Sequence, residues 1–401
     1  MVPAAALIAA IVAAAMRPEA QFSRRAVLSG TVAGACAVGP AHAASLERSA
    51  YAAGEMRPDL DRTFFETILP PVPQRTTVRT AIGPESAGGD GMWGFEQLLC
   101  FANVSASIRM TVVRLADGGL WVNAPVAPTG ECLSMLNELG TVKHIVLPVT
   151  ALEHKAFFGP FVRRFPDATR WVSPGQYGPF GSLPLGGGPE ASSLPYRIDG
   201  VLGEGAPPPW ASEIALKLFY VDLPGNAGPV SETAFYHRPS KTLLVTDAVV
   251  FIPPAPPTTL FESAYGDAAR DADFWPKSVL QAVFLPLRQS ESGAWPGYER
   301  IRGRLLRAPI LRAFSDARAP EETRAWVSSI TSGEWPFERI ISAHFASPIR
   351  ATPSELRAAF GAVMGDGTQL TLDEADWAAL DGLNALIEEK KLGSPLRMSY
   401  R

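Results

Sequence analysis

The sequence predicts an α/β sandwich, with stacked β-sheets wrapped by helices. Three observations carry that reading. Short runs rich in Val, Ile, Leu and aromatics fill the first half, capped amphipathic segments fill the last third, and Gly- or Pro-rich stretches divide them. A chain of 401 residues that is 47% hydrophobic and 19% charged can bury a large core, which excludes disorder throughout.

The strand-like runs, in order, are Arg109 to Leu115, Leu120 to Ala124, His144 to Val149, Arg170 to Ser173, Ala215 to Val221, Thr233 to Tyr236, Thr242 to Thr246 and Arg339 to Ala343. Ala116-Asp117-Gly118-Gly119 has a tight-turn composition and predicts a hairpin between the first two. Helical patterns cover Gly130 to Leu139, Lys155 to Phe165, Tyr298 to Phe314, Pro320 to Ile330, Pro353 to Val363 and Leu372 to Lys391. Thr352-Pro353-Ser354-Glu355 combines an N-cap, a first-turn Pro and a capping-box acid, and Thr371 to Glu374 repeats the spacing. On the last helix Leu372, Trp377, Leu380, Leu383 and Leu386 fall near one face, suited to docking on the domain or on another copy. Pro174 to Pro195 and Ile252 to Thr259 read as loops. Residues 44–91 lack periodicity and read as a partly disordered lead-in. The central domain is then 92–350, with a helical extension over 351–401.

Composition also narrows the function. A formal charge of -4 without a basic stripe argues against nucleic acid as a partner. Three Cys without CxxC exclude a disulfide framework and a thiolate zinc site. Cys100 and Cys132, in apolar surroundings, read as buried thiols. There is no Gly-x-Ser-x-Gly elbow, no phosphate-cradling Gly-x-x-x-x-Gly-Lys loop and no Gly-x-Gly-x-x-Gly after a strand. The nine Trp share no spacing and read as core.

The N-terminus reads as an address over residues 1–43. Ser23-Arg24-Arg25-Ala26-Val27-Leu28, a small-residue apolar stretch and Ala41-His42-Ala43 resemble a twin-arginine signal with its cleavage box. An earlier apolar run, Ala4 to Ala15, precedes Ala20-Gln21-Phe22, which resembles the signal-then-transit junction of algae with secondary plastids. Together these resemblances imply a bipartite transit peptide and delivery to the plastid (chloroplast) thylakoid lumen, with no transmembrane anchor after processing.

Of the five His, His42 lies in the leader, while His144 and His237 read as exposed or structural. His154 sits between an apolar strand and a helix, with Glu153 before it. Asp247 ends a second apolar strand and His344 a third. Imidazole nitrogen and carboxylate oxygen at strand ends are what a divalent Zn, Mn or Fe ion takes.

That order of elements resembles the metallo-β-lactamase-like fold, and in detail Arg109 to Leu115, Asn137 to Pro148, Phe165-Pro166-Asp167-Ala168 and Ser240 to Asp247 look like one branch of it. Within it the chain resembles a cyanobacterial and plastid branch catalogued as a domain of unknown function, over about Met92 to Pro348. The resemblance implies an αββα sandwich of two mixed sheets. It also implies metal ligands at a His-x-His-x-Asp-His box, a His after a Pro-Gly turn, a bridging Asp and a final His. Here the first two box His are Val149 and Ala151, and Asn226 follows Pro224-Gly225. One metal position is thereby lost. Glu153 stands for the box Asp, while His154, Asp247 and His344 match, which implies a degenerate site for at most one ion. Three functions stay open: a descendant that binds a small ligand or plastid protein partner, a mononuclear metal-dependent hydrolase of a small ester or thioester, and a structural protein.

Overall fold

β-Branched and aromatic residues in 104–123 build the centre of the first sheet. In the computed structural model, which describes residues 76–83, 91–101, 104–176, 197–223, 229–365, 370–389, 391 and 393–401, this sheet has seven strands in chain order. They are β1 (Val78–Ile82), β2 (Met92–Phe101), β3 (Val104–Arg114), β4 (Leu120–Asn123), β5 (Val142–Leu147), β6 (Thr169–Val172) and β7 (Gly200–Val201). β1 to β4 are antiparallel, β3 and β4 forming the expected hairpin, and β4 to β7 are parallel. Parallel steps need crossovers, and α1 (Gly130–Asn137) and α2 (Leu152–Arg164) supply those from β4 to β5 and from β5 to β6. The leader, most of the lead-in, the loop over 177–196 and Asn226 lie outside the described residues.

The second sheet has the order β14-β13-β10-β9-β8, with β8 (Ile214–Val221), β9 (Val230–His237), β10 (Thr242–Leu244), β13 (Arg339–Ile341) and β14 (Ile349–Arg350). Only β10 and β13 are parallel. β11 (Val250–Phe251) and β12 (Leu305–Leu306) form a separate ribbon.

Strand alternation assigns the layers. Val112, Val122 and Ile145 face the cluster that Phe157, Phe158 and Phe161 of α2 complete. Their neighbours Val113, Trp121 and Val146 face the other way and meet Phe235, Leu244 and Ile341 of the second sheet. On that sheet's far side Leu243 and Ile340 pack with Trp326 and Val327 of α6 (Pro320–Thr331) and Leu356 of α7 (Pro353–Ala359). Helix, sheet, sheet, helix is thus the order of layers, as the sequence predicts. α3 (Thr258–Tyr265), α4 (Phe274–Ala282), α5 (Pro296–Ile301), α8 (Gly361–Met364) and α9 (Glu374–Glu389) complete the set used below. No helix among the described residues is long and apolar enough to cross a membrane.

Several local expectations change. The helix expected over Tyr298 to Phe314 breaks, because Gly303 takes a left-handed φ of 69° and Pro309 cannot continue an upstream helix. β1 falls in the aperiodic lead-in, and β2 escapes periodicity because it carries Gly94, Glu96 and Gln97. Gln97 buries by exchanging hydrogen bonds with the Ala127 backbone, 2.8 and 3.1 Å. The box at Thr352 and Glu355 forms. At α9 the reciprocal bonds run instead between Asp373 and Asp376, 3.0 and 3.3 Å. Trp377 and Leu380 dock α9 on the domain.

All nine Trp are buried. Trp210 packs against His144 with ring centres 4.9 Å apart and planes tilted by 53°, and His144 Nδ1 lies 2.7 Å from Thr169 Oγ1. Burial lowers the His144 pKa, with Asp117 opposing. The unfolded chain then binds a proton near pH 6.5 that the folded chain refuses, so this part of stability is lost as pH falls through 6.5. Urea unfolding at pH 7.5 and 5.5 is expected to show a larger acid loss for the natural chain than for His144→Gln. Equal losses would remove His144 from the account.

Candidate metal centre

Three strand ends meet at one edge of the sandwich. Beyond β5 the chain leaves the first sheet and pairs with the second. Thr233 donates to Pro148 O at 2.8 Å, Thr150 to Ser231 O at 3.1 Å, and Val149 bridges Glu232. That crossing sets the start of α2 beside β9. Glu153 and His154 lie in its first turn, where the helix dipole favours an acid.

The parallel pair supplies the other two groups. Thr242 lies opposite Arg339 and Leu244 opposite Ile341. Val245 donates to Ile341 O and Ala343 to Thr246 O, at 2.9 and 3.1 Å, so the ladder continues past both strands and sets Asp247 opposite His344. A second crossing joins this segment to β3: Arg109 N donates to Ala343 O at 2.7 Å. The buried Arg109 side chain also holds Ser342 O, Phe345 O and Glu96.

Glu153, His154, Asp247 and His344, the four residues singled out in the sequence, converge so that one ligand atom from each lies within 4.8 Å of every other. Asp247 Oδ1 is 3.1 Å from His344 Nε2 and 3.5 Å from His154 Nε2. Those spacings bracket the ~3.3 Å that separates two ligands each about 2.0–2.1 Å from a tetrahedral ion. His344 Nδ1 lies 2.8 Å from Ser107 O, a bond that fixes the proton on Nδ1 and turns the Nε2 lone pair toward Asp247. His154 is fully buried, yet among the described residues neither ring nitrogen has a hydrogen-bond partner. A buried polar atom without a partner is costly, and a cation at Nε2 removes that cost. The residues therefore fit a divalent ion.

The electrostatics agree. Burial opposes ionisation of Asp247, but His154 and His344 hold its carboxyl well below the usual carboxylate range. Burial pulls the His344 imidazole down, and Asp247 more than reverses this. Burial pushes the neighbouring Lys155 ammonium down to about 7 against the pull of Glu153.

One supporting residue is not legible in the sequence. Glu232, in the middle of β9, accepts the backbone N–H of Thr246, Asp247 and Ala248 on a single oxygen, at 2.8, 3.0 and 2.9 Å. Burial, then Asp247, push its carboxyl up to about 7 against Arg307 and the backbone donors. Arg307 caps the same turn, donating to Ala248 O at 3.1 Å while pairing with Asp316. The only signal in the sequence is an acid between Ser231 and Thr233 at the start of a strand-like run. His144 and His237 are buried and bonded to Thr169 and Ser240, structural rather than part of this cluster. Val149 is buried in its bridge and Ala151 caps α2, so neither offers a donor.

No curated protein matches the chain. Among solved structures it is similar to a metallo-β-lactamase from Pontibacter korlensis, at 12% identity over 71% of this chain and 98% of that one, TM-score 0.34. It is also similar to the metal-soaked Flv1 flavodiiron core from Synechocystis sp. PCC6803, at 9% identity over 73% and 62%, TM-score 0.41. A metallo-β-lactamase from Hirschia baltica is similar at 9% identity over 72% and 97%, TM-score 0.35. The sequence profile of a domain of unknown function matches residues 89–282 and 288–361, well over half of the chain. The chain therefore belongs to that family, the domain of unknown function DUF4336.

Proposed function

We propose that this chain is a mononuclear metal-binding protein, a degenerate metallo-β-lactamase-like descendant that uses one divalent ion at Glu153, His154, Asp247 and His344 to bind a small ligand. The observation that carries the reading is the fully buried His154, whose two ring nitrogens make no hydrogen bond among the described residues while Nε2 lies 3.5 Å from the Asp247 carboxylate. Val149 and Ala151, at two positions where the related pattern has His, support one ion rather than two. Zn, Mn and Fe suit this donor set.

The protein's own groups divide the work. Ser107 orients His344, the β10–β13 ladder aligns Asp247, and Glu232 and Arg307 hold the turn that carries it. A bound ion would supply Lewis acidity, polarising a ligand oxygen or lowering the pKa of water. A second reading, hydrolysis of a small ester or thioester, is favoured by one feature: the Asp247 and His344 side chains keep 17% and 14% exposure, which leaves a path for solvent and ligand.

Metal analysis of protein purified from residue 44 onward is expected to find about one ion per chain, and none after His154→Ala with His344→Ala. A folded, ion-free natural chain overturns the proposal. Metal-dependent turnover of p-nitrophenyl acetate or an acetyl thioester selects the hydrolytic reading, and binding without turnover selects the first. The N-terminal 43 residues support delivery to the thylakoid lumen of a plastid, which a fluorescent fusion of that segment tests.

A further inference from the structure

We propose, resting on the mononuclear reading, that Arg109 is a positioning residue of the metal centre: its guanidinium fork clamps the turn after β13, with Phe345 in a left-handed backbone conformation, and so fixes His344 against Asp247.

Strand periodicity puts Arg109 in place. Ile108, Met110 and Val112 of β3 face the α2 side of the first sheet, so Ser107 and Arg109 face the second sheet, whose β13 leads to His344. Gly94 and Glu96 of β2 share that face, with Glu96 directly opposite Arg109. Gly94 leaves space for the side chain, since a Cβ there would lie 3.3 Å from Arg109 Cδ. Glu96 pairs with Nη2, which gives the buried guanidinium a counter-charge.

Four successive carbonyls around His344 are held. Arg109 Nη1 donates to Ser342 O, Arg109 N to Ala343 O at 2.7 Å, Ser342 Oγ to His344 O at 3.0 Å and Arg109 Nη2 to Phe345 O at 2.5 Å. Three of the four depend on one residue. Phe345 has a φ of 56°, a region that a bulky side chain avoids. Its N–H donates to Ser107 Oγ at 3.3 Å, and its ring meets Trp275 of α4 edge-on. So unfavourable a conformation persists only where the surroundings over-determine it, and such segments cluster at functional sites. Ser107 O takes the imidazole at Nδ1, 2.8 Å away, so two residues of β3 hold both the ring and the backbone that carries it. A planar fork spans two carbonyls at once, and a Lys ammonium does not.

Cobalt(II) titration of the full chain, followed by d–d absorption, reads affinity and ligand geometry together. Arg109→Lys keeps a charge beside Glu96 but loses the fork, and is expected to bind cobalt at least about tenfold more weakly, with altered d–d bands. Phe345→Gly keeps both carbonyls, so it is expected to bind within a few-fold of the natural chain although it unfolds at lower urea. That opposition excludes a purely structural role, in which affinity would follow stability. If Arg109→Lys does not unfold cooperatively, Gly94→Ala decides: it crowds Arg109, removes no polar group and is expected to weaken cobalt several-fold. Natural affinity and bands in the deciding variant overturn the proposal, and so does a larger loss in Phe345→Gly than in that variant. A natural chain that takes no cobalt overturns the mononuclear reading instead. The clamp is then read by imidazole NMR of the metal-free chain at alkaline pH, where the His344 Nδ1–H is expected to exchange about tenfold faster in the deciding variant. Equal exchange overturns the clamp.

Discussion

Replacing Arg307 with Met is expected to destabilise the fold by about 3–5 kcal/mol, measured by urea unfolding, because it strands a buried carboxylate. The Arg307 and Asp316 side chains are 5% and 4% exposed and meet at 2.8 Å. Two charges removed from water cost several kcal/mol, and their attraction repays this only while both are present. Losing Arg307 also removes donors from Asp247 O and Ala248 O, 3.4 and 3.1 Å away, on the turn that presents the metal-centre aspartate. Arg307→Met with Asp316→Leu is expected to recover most of the loss, since an apolar pair of similar volume needs no partner charge. A single-mutant loss below about 1 kcal/mol would mean that the pair is solvated like a surface salt bridge.

Glu232→Ala is expected to cost about 3–5 kcal/mol and to weaken metal binding 10- to 100-fold. One oxygen of Glu232 organises three consecutive N–H groups, Thr246, Asp247 and Ala248. Without it, donors in a buried turn lose their acceptor, at about 1–3 kcal/mol each and less than additively. Glu232→Gln keeps a carbonyl oxygen at that place, so it is expected to retain more of both stability and affinity. The contrast is diagnostic: if Gln and Ala lose metal affinity equally while Gln keeps stability, the carboxylate charge and not the turn sets the ion's affinity. If neither changes affinity, Glu232 does not position Asp247.

The local grammar of the chain was legible where it is self-contained. Val112 and Val113, or Leu243 and Leu244, face opposite layers because successive strand residues do, which alone argues for sheets covered on both sides. The Thr352 capping box formed because cap, Pro and acid are within one turn. β2 was hidden because Glu96 and Gln97 interrupt its alternation. Half-buried Glu96 pairs with Arg109 in β3 and buried Gln97 with the Ala127 backbone, partners that no short window contains.

The sequence by itself determined which side chains could serve a cation. Imidazoles and carboxylates just past apolar runs are local features, and Glu153, His154, Asp247 and His344 all announce themselves that way. Only the tertiary structure decided that they share a point. The β10–β13 register sets Asp247 against His344, and the crossing from β5 to β9 carries α2 and its His154 to the same edge. It also decided that Glu232, Arg307 and Arg312 are buried. The physical reason is one of range: strand periodicity is written in neighbours two residues apart, whereas burial of a charge is fixed by partners far along the chain.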